Sequence, residues 1–223
     1  AQAPGEDMFV LDPEAAPIGE NIRRITAKRF AFLHDAVLSQ KLFSIESDFV
    51  ERNPDKVRPY KEGDILAVDE IKLLTNDKSG SAGRARWFIA NEDVISTGNE
   101  YIRSWKVVVS SANAGGQKRS NQLEVLDDRS AFGRSRVALK TFATEREARN
   151  FFAYCQTDFI RYTFLLTDES LSSLAKMVPD LLDYSDDNGV IDYAGDVNAQ
   201  LYQLFEVDDS MKRLILRTLE ENQ

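Results

Sequence analysis

The stretch VALKTFATEREARNFFAYC, residues 137–155, decides the fold class, because its hydrophobic pattern changes period. Residues 137–141, with Val137, Leu139 and Thr141 at alternate positions, are typical of a strand. Thr144 and Glu147 then form a capping-box pattern, which predicts an amphipathic helix continuing through Cys155. Strands are expected before this stretch and helices after it. The sequence therefore predicts an α+β fold, with a mixed or antiparallel sheet, long loops and a C-terminal helical part.

The remaining segments are assigned by the same periodicities. Extended segments are predicted at 65–74, 87–89, 101–109 and 123–126. Helices are predicted at 20–42, 157–166, 167–178, 198–206 and 209–221. The chain then divides into an N-terminal arm and helix (1–60), a β-rich part (61–143) and a helical part that packs on the sheet (144–223).

Residue counts exclude several classes of site. The chain has one cysteine, Cys155, which excludes an internal disulfide and a cysteine-based zinc site. Its one histidine, His34, argues against a Ser-His-Asp triad and against a His-rich metal site. No Walker A, GxSxG or HExxH motif is present. No signal peptide and no apolar run of about 20 residues are found, so we expect a cytoplasmic protein without membrane contact.

The charge is distributed unevenly along the chain. The net charge is −9, yet residues 101–150 hold 10 Lys and Arg against 5 Asp and Glu. The flanking segments, 1–100 and 151–223, are both acidic. A basic centre of this kind predicts a contact surface for an anionic partner.

Three polar loops in and near this centre share one chemistry. They are 76–86, with Arg84 and Arg86; 110–119, with Asn113, Gly115, Gly116, Gln117, Lys118 and Arg119; and 127–136, with Arg129, Arg134 and Arg136. Arginine can bind guanine O6 and N7, and Asn or Gln can bind adenine N6 and N7. Lysine and serine hold phosphates, and glycine permits close approach of the backbone. The alternative is three ordinary solvated hairpin turns.

Two further motifs are compared with metal-binding patterns. Pro54-Asp55 followed by Glu70-Ile71-Lys72 formally fits a PD-(D/E)xK pattern, in which carboxylates hold Mg²⁺ near an attacking water. A stand-alone Mg²⁺-dependent nuclease is therefore one alternative function, and a protein-interaction scaffold is another. The acidic loop 183–196 does not fit an EF-hand, because the register gives it no Glu at the twelfth position.

Much of the chain resembles a known family. The matching stretches are GRARW (83–87), EYIRSWKVVVSSANAGG (100–116), SAFGRSRVALKTF (130–142), TEREARNFFAYCQTDFIRYTFLLTD (144–168), MVPDLLDYSDD (177–187) and QLYQLF (200–205). Together they resemble the C-terminal target-recognition region of type II restriction–modification adenine-N6 DNA methyltransferases, including fused methylase–endonuclease proteins.

The resemblance implies sequence-specific recognition of double-stranded DNA in a bacterial defence system. The family's catalytic tetrapeptide, [DNS]PP[YFW], and its FxGxG-type cofactor loop are both absent from this sequence. S-adenosylmethionine is therefore expected in the catalytic domain of a parent protein, which would be this chain's partner beside DNA. No catalytic or metal-binding residue is predicted in this chain. The candidate DNA-binding residues are those of the three loops named above.

Overall fold

The computed structural model describes residues 13–78, 85–112, 123–167 and 170–222, and these fall into two compact units. The sheet unit comprises the described residues of Leu38–Ala112 and Gln122–Ala148. The helical unit comprises those of Ala1–Val37 and Arg149–Gln223. The boundaries thus differ from those predicted at 60 and 143.

The described residues form short strands and six α-helices. The strands are β1 (Ala31–Phe32), β2 (Val57–Pro59), β3 (Glu70–Asn76), β4 (Ala85–Asn91), β5 (Trp105–Ser110), β6 (Glu124–Leu126), β7 (Ser130–Phe132), β8 (Arg136–Phe142) and β9 (Pro179–Asp180). The helices are α1 (Ala16–Arg29), α2 (Phe49–Arg52), α3 (Glu145–Cys155), α4 (Asp158–Phe164), α5 (Val197–Leu204) and α6 (Asp209–Glu221). The predicted α+β class is confirmed.

The sheet unit contains two sheets. The first has the strand order β2-β4-β3-β7 and is mixed, because β3 and β7 run parallel while the other pairs are antiparallel. The second has the order β6-β5-β8 and is antiparallel. Since β7 lies in the first sheet and β8 in the second, the connection between Phe132 and Arg136 joins the two sheets.

The core of the sheet unit includes residues that precede the first long strand. Phe43 and Ile45 are buried, and the Phe43 ring packs edge-on against Phe132 at a centroid distance of 5.0 Å. This packing explains why residues 38–60 belong to the sheet unit rather than to an N-terminal arm. The buried core residues are Phe43, Ile45, Ile71, Leu73, Leu74, Phe88, Ile95, Ile102, Val108, Leu126, Ala131, Phe132 and Ala138.

One core position of the sheet unit is a lysine. Lys106 on β5 is fully buried, and its Nζ donates to the backbone oxygens of Ile102 (3.0 Å), Ser104 (2.6 Å) and Asp127 (3.3 Å). Burial lowers the pKa of Lys106 to about 7, against the opposing attraction of Asp127 and Asp128. The Lys106 ammonium group thus serves as the donor for three backbone oxygens, in the place that backbone N–H groups usually take.

The helix predicted at 20–42 is wrong beyond Arg29. Phe30 has an extended backbone (φ −138°, ψ −169°), and Ala31 pairs with Asp180 of β9. The Leu33 N–H then donates to the Val178 oxygen (2.8 Å). Beyond Arg29 the backbone therefore forms a short strand and turns, although the spacing of the apolar residues there is also that of a helix.

The helix predicted at 167–178 is also wrong over its described residues, because Thr167 is not helical and 170–178 form a series of turns. Its backbone bonds span three residues, as from the Val178 N–H to the Ala175 oxygen (3.2 Å). Ala175 has φ +62°, which a right-handed helix does not allow. Residues 168 and 169, where that helix was predicted to start, lie outside the described residues.

The other helix predictions are confirmed, with shifts of a few residues at their ends. At the start of α3, the Thr144 N–H donates to Glu147 Oε2 (3.1 Å) and the Glu147 N–H donates to Thr144 Oγ1 (3.3 Å), which is the predicted capping box. In the helical unit, Phe159 of α4 is buried with its ring 4.9 Å from that of Phe205. Cys155 is fully buried, and burial raises the pKa of its thiol, so it is a core residue.

Candidate nucleic-acid interface

In the first sheet, two of the predicted loops leave from the same end. The β3–β4 hairpin is paired up to Asn76 and Ala85, where the ends of the loop 76–86 lie. Because β7 is parallel to β3, it ends at this same end, and the Gly133 N–H donates to the Leu74 oxygen (2.9 Å). The start of the β3–β4 loop and the β7–β8 connection are therefore neighbours.

In the second sheet, the start of the loop 110–119 also lies beside the β7–β8 connection. Ser110, the last residue of β5, pairs with Arg136, the first residue of β8. Beyond it, the Ser111 N–H donates to the Ser135 oxygen (2.9 Å) and Ser111 Oγ donates to the Arg134 oxygen (2.7 Å). The loop that follows β5 thus starts beside the β7–β8 connection.

We call this end of the sheet unit the loop edge. It is formed by the strand ends at Asn76, Ala85, Ser110, Glu124, Phe132 and Arg136. Loops that are far apart in the sequence leave the unit there side by side.

Gly133 lies at the loop edge for a packing reason. A Cβ at this position would lie 2.5 Å from Thr75 Oγ1 and 3.1 Å from Thr75 Cβ, so any other residue here would force Thr75 or the backbone to shift. Glycine thus lets the β7–β8 connection approach β3. The glycine of the third loop supports this contact, whereas the sequence predicts a glycine that admits a ligand.

Three of the four described candidate arginines lie at the loop edge, and each is paired with a carboxylate. Arg134 Nε and Nη2 are each 2.8 Å from an oxygen of Glu46. The distance is 3.5 Å from Arg86 Nη1 to Asp77 Oδ2 and from Arg136 Nη2 to Glu124 Oε1. The side chain of Arg86 is 62 % exposed, that of Arg134 36 % and that of Arg136 only 14 %.

Arg129 lies apart from the other three. It precedes β7, at the end of the first sheet where β3 begins, and β3 is about 20 Å long at seven residues. Its Nη2 donates to the backbone oxygens of Ala67 and Glu70, the latter at 2.7 Å. The structure gives Arg129 a role in holding the loop before β3.

The other candidate residues lie outside the described residues. They are Arg84 of the first loop and Asn113, Gly115, Gly116, Gln117, Lys118 and Arg119 of the second. The sequence itself shows that 79–84 and 113–122 contain three cations and no acidic residue. Each described candidate arginine at the loop edge, by contrast, has a carboxylate partner.

The residues of the nuclease-like pattern have other partners. Both Glu70 carboxylate oxygens accept from Arg58 Nη2 (3.0 and 2.9 Å), and Lys72 Nζ lies 2.5 Å from Asp127 Oδ2. Hydrogen bonds from the Ala67 N–H and from Arg58 lower the pKa of Glu70. Asp55 lies on an exposed turn. In the part of the chain that the structure describes, no group of three or more His, Cys, Asp or Glu side chains is arranged to hold a metal ion.

The sequence did not reveal the carboxylates of the loop edge. Glu46 is 88 positions from Arg134, and it follows Ile45, a core residue that fixes its place. Asp77 and Glu124 are nearer to their partners but have no motif around them. Asp77 and Glu124 could be identified only by opposite charges at the ends of paired strands. That test requires knowing which residues of the two strands pair.

Within residues 13–78, 85–112, 123–167 and 170–222, no helix is both apolar and long enough to cross a bilayer.

No protein-family model matches the chain, and no curated protein or solved structure matches it either. The resemblance to the target-recognition region of adenine-N6 methyltransferases thus stays a prediction.

Proposed function

We propose that this chain is a sequence-specific double-stranded DNA recognition module of a restriction–modification adenine-N6 methyltransferase. Catalysis and S-adenosylmethionine binding would belong to another domain of the parent protein. The observation that carries this proposal is the loop edge, where loops separated in the sequence start side by side. The sequence of these loops supplies arginine, lysine, asparagine, glycine and serine, which suit contacts to phosphates and base edges.

The geometry supports the proposal through a division between scaffold and loops. The strands hold the ends of each loop by backbone pairing, and binding residues are commonly found on loops positioned by a rigid scaffold. The carboxylates paired with Arg86, Arg134 and Arg136 reduce the attraction for phosphates at the scaffold itself. Non-specific affinity would therefore depend mainly on Arg84, Lys118 and Arg119.

The test is duplex binding by the 223-residue chain over a range of salt concentrations. With about four to six phosphate contacts, log K against log[salt] should have a slope of roughly −4 to −5. A triple variant, Arg84→Ala with Lys118→Ala and Arg119→Ala, should weaken binding to every duplex and make this slope shallower.

The matched control is Lys28→Ala with Lys176→Ala and Arg213→Ala. It removes the same charge from exposed positions of the helical unit. If both triple variants weaken binding equally, or if the unmodified chain binds no duplex at low salt, the proposal fails. Labelled S-adenosylmethionine should give no methyl transfer with the chain alone, and DNA-dependent transfer would contradict its assignment as a recognition module.

A further inference from the structure

We propose that Arg134 is a base-contacting arginine of the loop edge and that Glu46 is its positioning residue. In this proposal Glu46 increases discrimination between DNA sequences and lowers affinity for DNA in general. The inference rests on the proposed DNA-binding function and assigns roles within the same site.

Among the described residues, the side-chain bonds of Arg134 go to Glu46 alone and involve one side of the guanidinium. Glu46 accepts from Nε and from Nη2 of Arg134, each at 2.8 Å, and so occupies the side edge of the guanidinium. The N–H groups at the far end, two on Nη1 and the second on Nη2, point away from the carboxylate. These form the fork that matches the O6 and N7 acceptors of guanine.

Both ends of the pair are held by the fold. Arg134 lies in the connection between β7 and β8, where its backbone oxygen accepts from Ser111 Oγ (2.7 Å). The Arg136 N–H closes the same turn on the Gly133 oxygen (3.1 Å). Glu46 directly follows the buried Ile45. A side chain that is already oriented loses less freedom on binding, which increases the affinity that a correct contact provides.

The pair is also accessible. The Arg134 side chain is 36 % exposed and that of Glu46 is 51 % exposed. Among the four described candidate arginines, Arg129 is held by backbone oxygens and Arg136 is mostly covered. Arg86 is open, but its carboxylate contact of 3.5 Å fixes its orientation less firmly. Arg134 thus combines a fixed orientation with a partly exposed side chain.

The charge of Glu46 gives the proposal a distinctive consequence. The Arg134–Glu46 pair has no net charge, so phosphates gain little from it, and a nearby carboxylate repels them. Guanine offers neutral acceptors, for which the donors matter more than the net charge. Removing the charge of Glu46 should therefore tighten binding to unselected DNA while weakening the discrimination made by Arg134.

The experiment begins with selection of a preferred site from a randomised duplex pool by the 223-residue chain. Dissociation constants are then measured at one salt concentration for the selected site, for each of its single base-pair variants and for an unselected duplex. Arg134→Ala should reduce discrimination about 5- to 150-fold, and at one base pair only. Glu46→Gln should reduce it at least threefold at that same base pair and tighten binding to the unselected duplex. Glu46→Asp, which keeps the charge, should retain part of the discrimination.

Glu92→Gln is the matched control. Glu92 also pairs with an arginine, Arg103, but it follows the end of β4 that is opposite the loop edge. Glu92→Gln should leave the discrimination between DNA sequences unchanged. Thermal melting should show that all variants are folded. Equal effects of Glu46→Gln and Glu92→Gln, or a loss with Arg134→Ala that is the same for all sequences, would overturn the inference. Duplex binding without any selected site would also overturn it, whereas no duplex binding at all would overturn the proposed function itself.

Discussion

Replacing Lys106 by methionine should abolish a pH-dependent part of the stability of the sheet unit. In the folded chain the pKa of Lys106 is lowered to about 7, from its ordinary value of 10.5, because the side chain is buried. Between these pH values the unfolded chain binds a proton that the folded chain does not. The free energy of unfolding should therefore rise with pH across this window, and below about pH 7 the lysine should contribute no slope.

The size of the effect follows from the same shift. One pH unit within the window corresponds to about 1.4 kcal/mol, so the gain between pH 7 and pH 9 should be about 2 kcal/mol. For a chain of this length that corresponds to roughly 4–8 °C in Tm. Methionine fills a similar volume but does not titrate, so Lys106→Met should lose this slope. It should also be less stable overall, because the oxygens of Ile102, Ser104 and Asp127 lose their donor.

The assay is denaturant unfolding followed by tryptophan fluorescence at pH 6, 7, 8 and 9. Both tryptophans of the chain, Trp87 and Trp105, lie in the sheet unit and so report on it. Lys41→Met, at an exposed position of the same unit, is the control and should follow the unmodified chain. Parallel stability curves for the unmodified chain and Lys106→Met from pH 7 to pH 9 would refute the reasoning.

Three further substitutions test packing and capping by thermal or denaturant unfolding. Thr75→Val should stabilise the sheet unit by about 1 kcal/mol, because Thr75 Oγ1 is buried with no hydrogen-bond partner among the described residues. A loss of stability would mean that the hydroxyl does form a hydrogen bond. Gly133→Ala should cost about 1–3 kcal/mol, because its Cβ would lie 2.5 Å from Thr75 Oγ1, and unchanged stability would contradict this close approach. Thr144→Ala should cost about 1 kcal/mol by removing the hydroxyl that accepts from the Glu147 N–H, whereas Thr144→Ser should retain most of the stability.

The fold class was predictable because it depends on local patterns. The strand–helix change at 137–155 contains its own start signal, and the capping box of Thr144 and Glu147 forms as the sequence indicates. Local patterns failed where pairing with distant residues decided the structure. Residues 31–32 pair with β9, about 150 positions away, and no propensity within 20–42 reports that partner.

The candidate site was predictable in its location more than in the roles of its residues. Loop composition indicated segments that the strand pairing brings to one edge. It could not separate Arg129, which donates to backbone oxygens, from Arg134, whose partly exposed side chain pairs with a carboxylate. It also missed Glu46, because only the folded chain brings that carboxylate to Arg134. The same residue types serve the fold or a ligand according to what lies within hydrogen-bonding distance.

The connection between β7 and β8 has a consequence for how such a chain can diversify. The β3–β4 hairpin is paired up to Asn76 and Ala85, so a loop of another length can be inserted there without changing a strand pair. The β7–β8 connection is only Gly133–Ser135, and it links a strand of one sheet to a strand of the other. An added residue there would have to bulge out of a three-residue link or move the register of β8 against β5, which would turn the β8 side chains to the opposite face. We therefore expect insertions to cost less stability in the β3–β4 loop than in the β7–β8 connection.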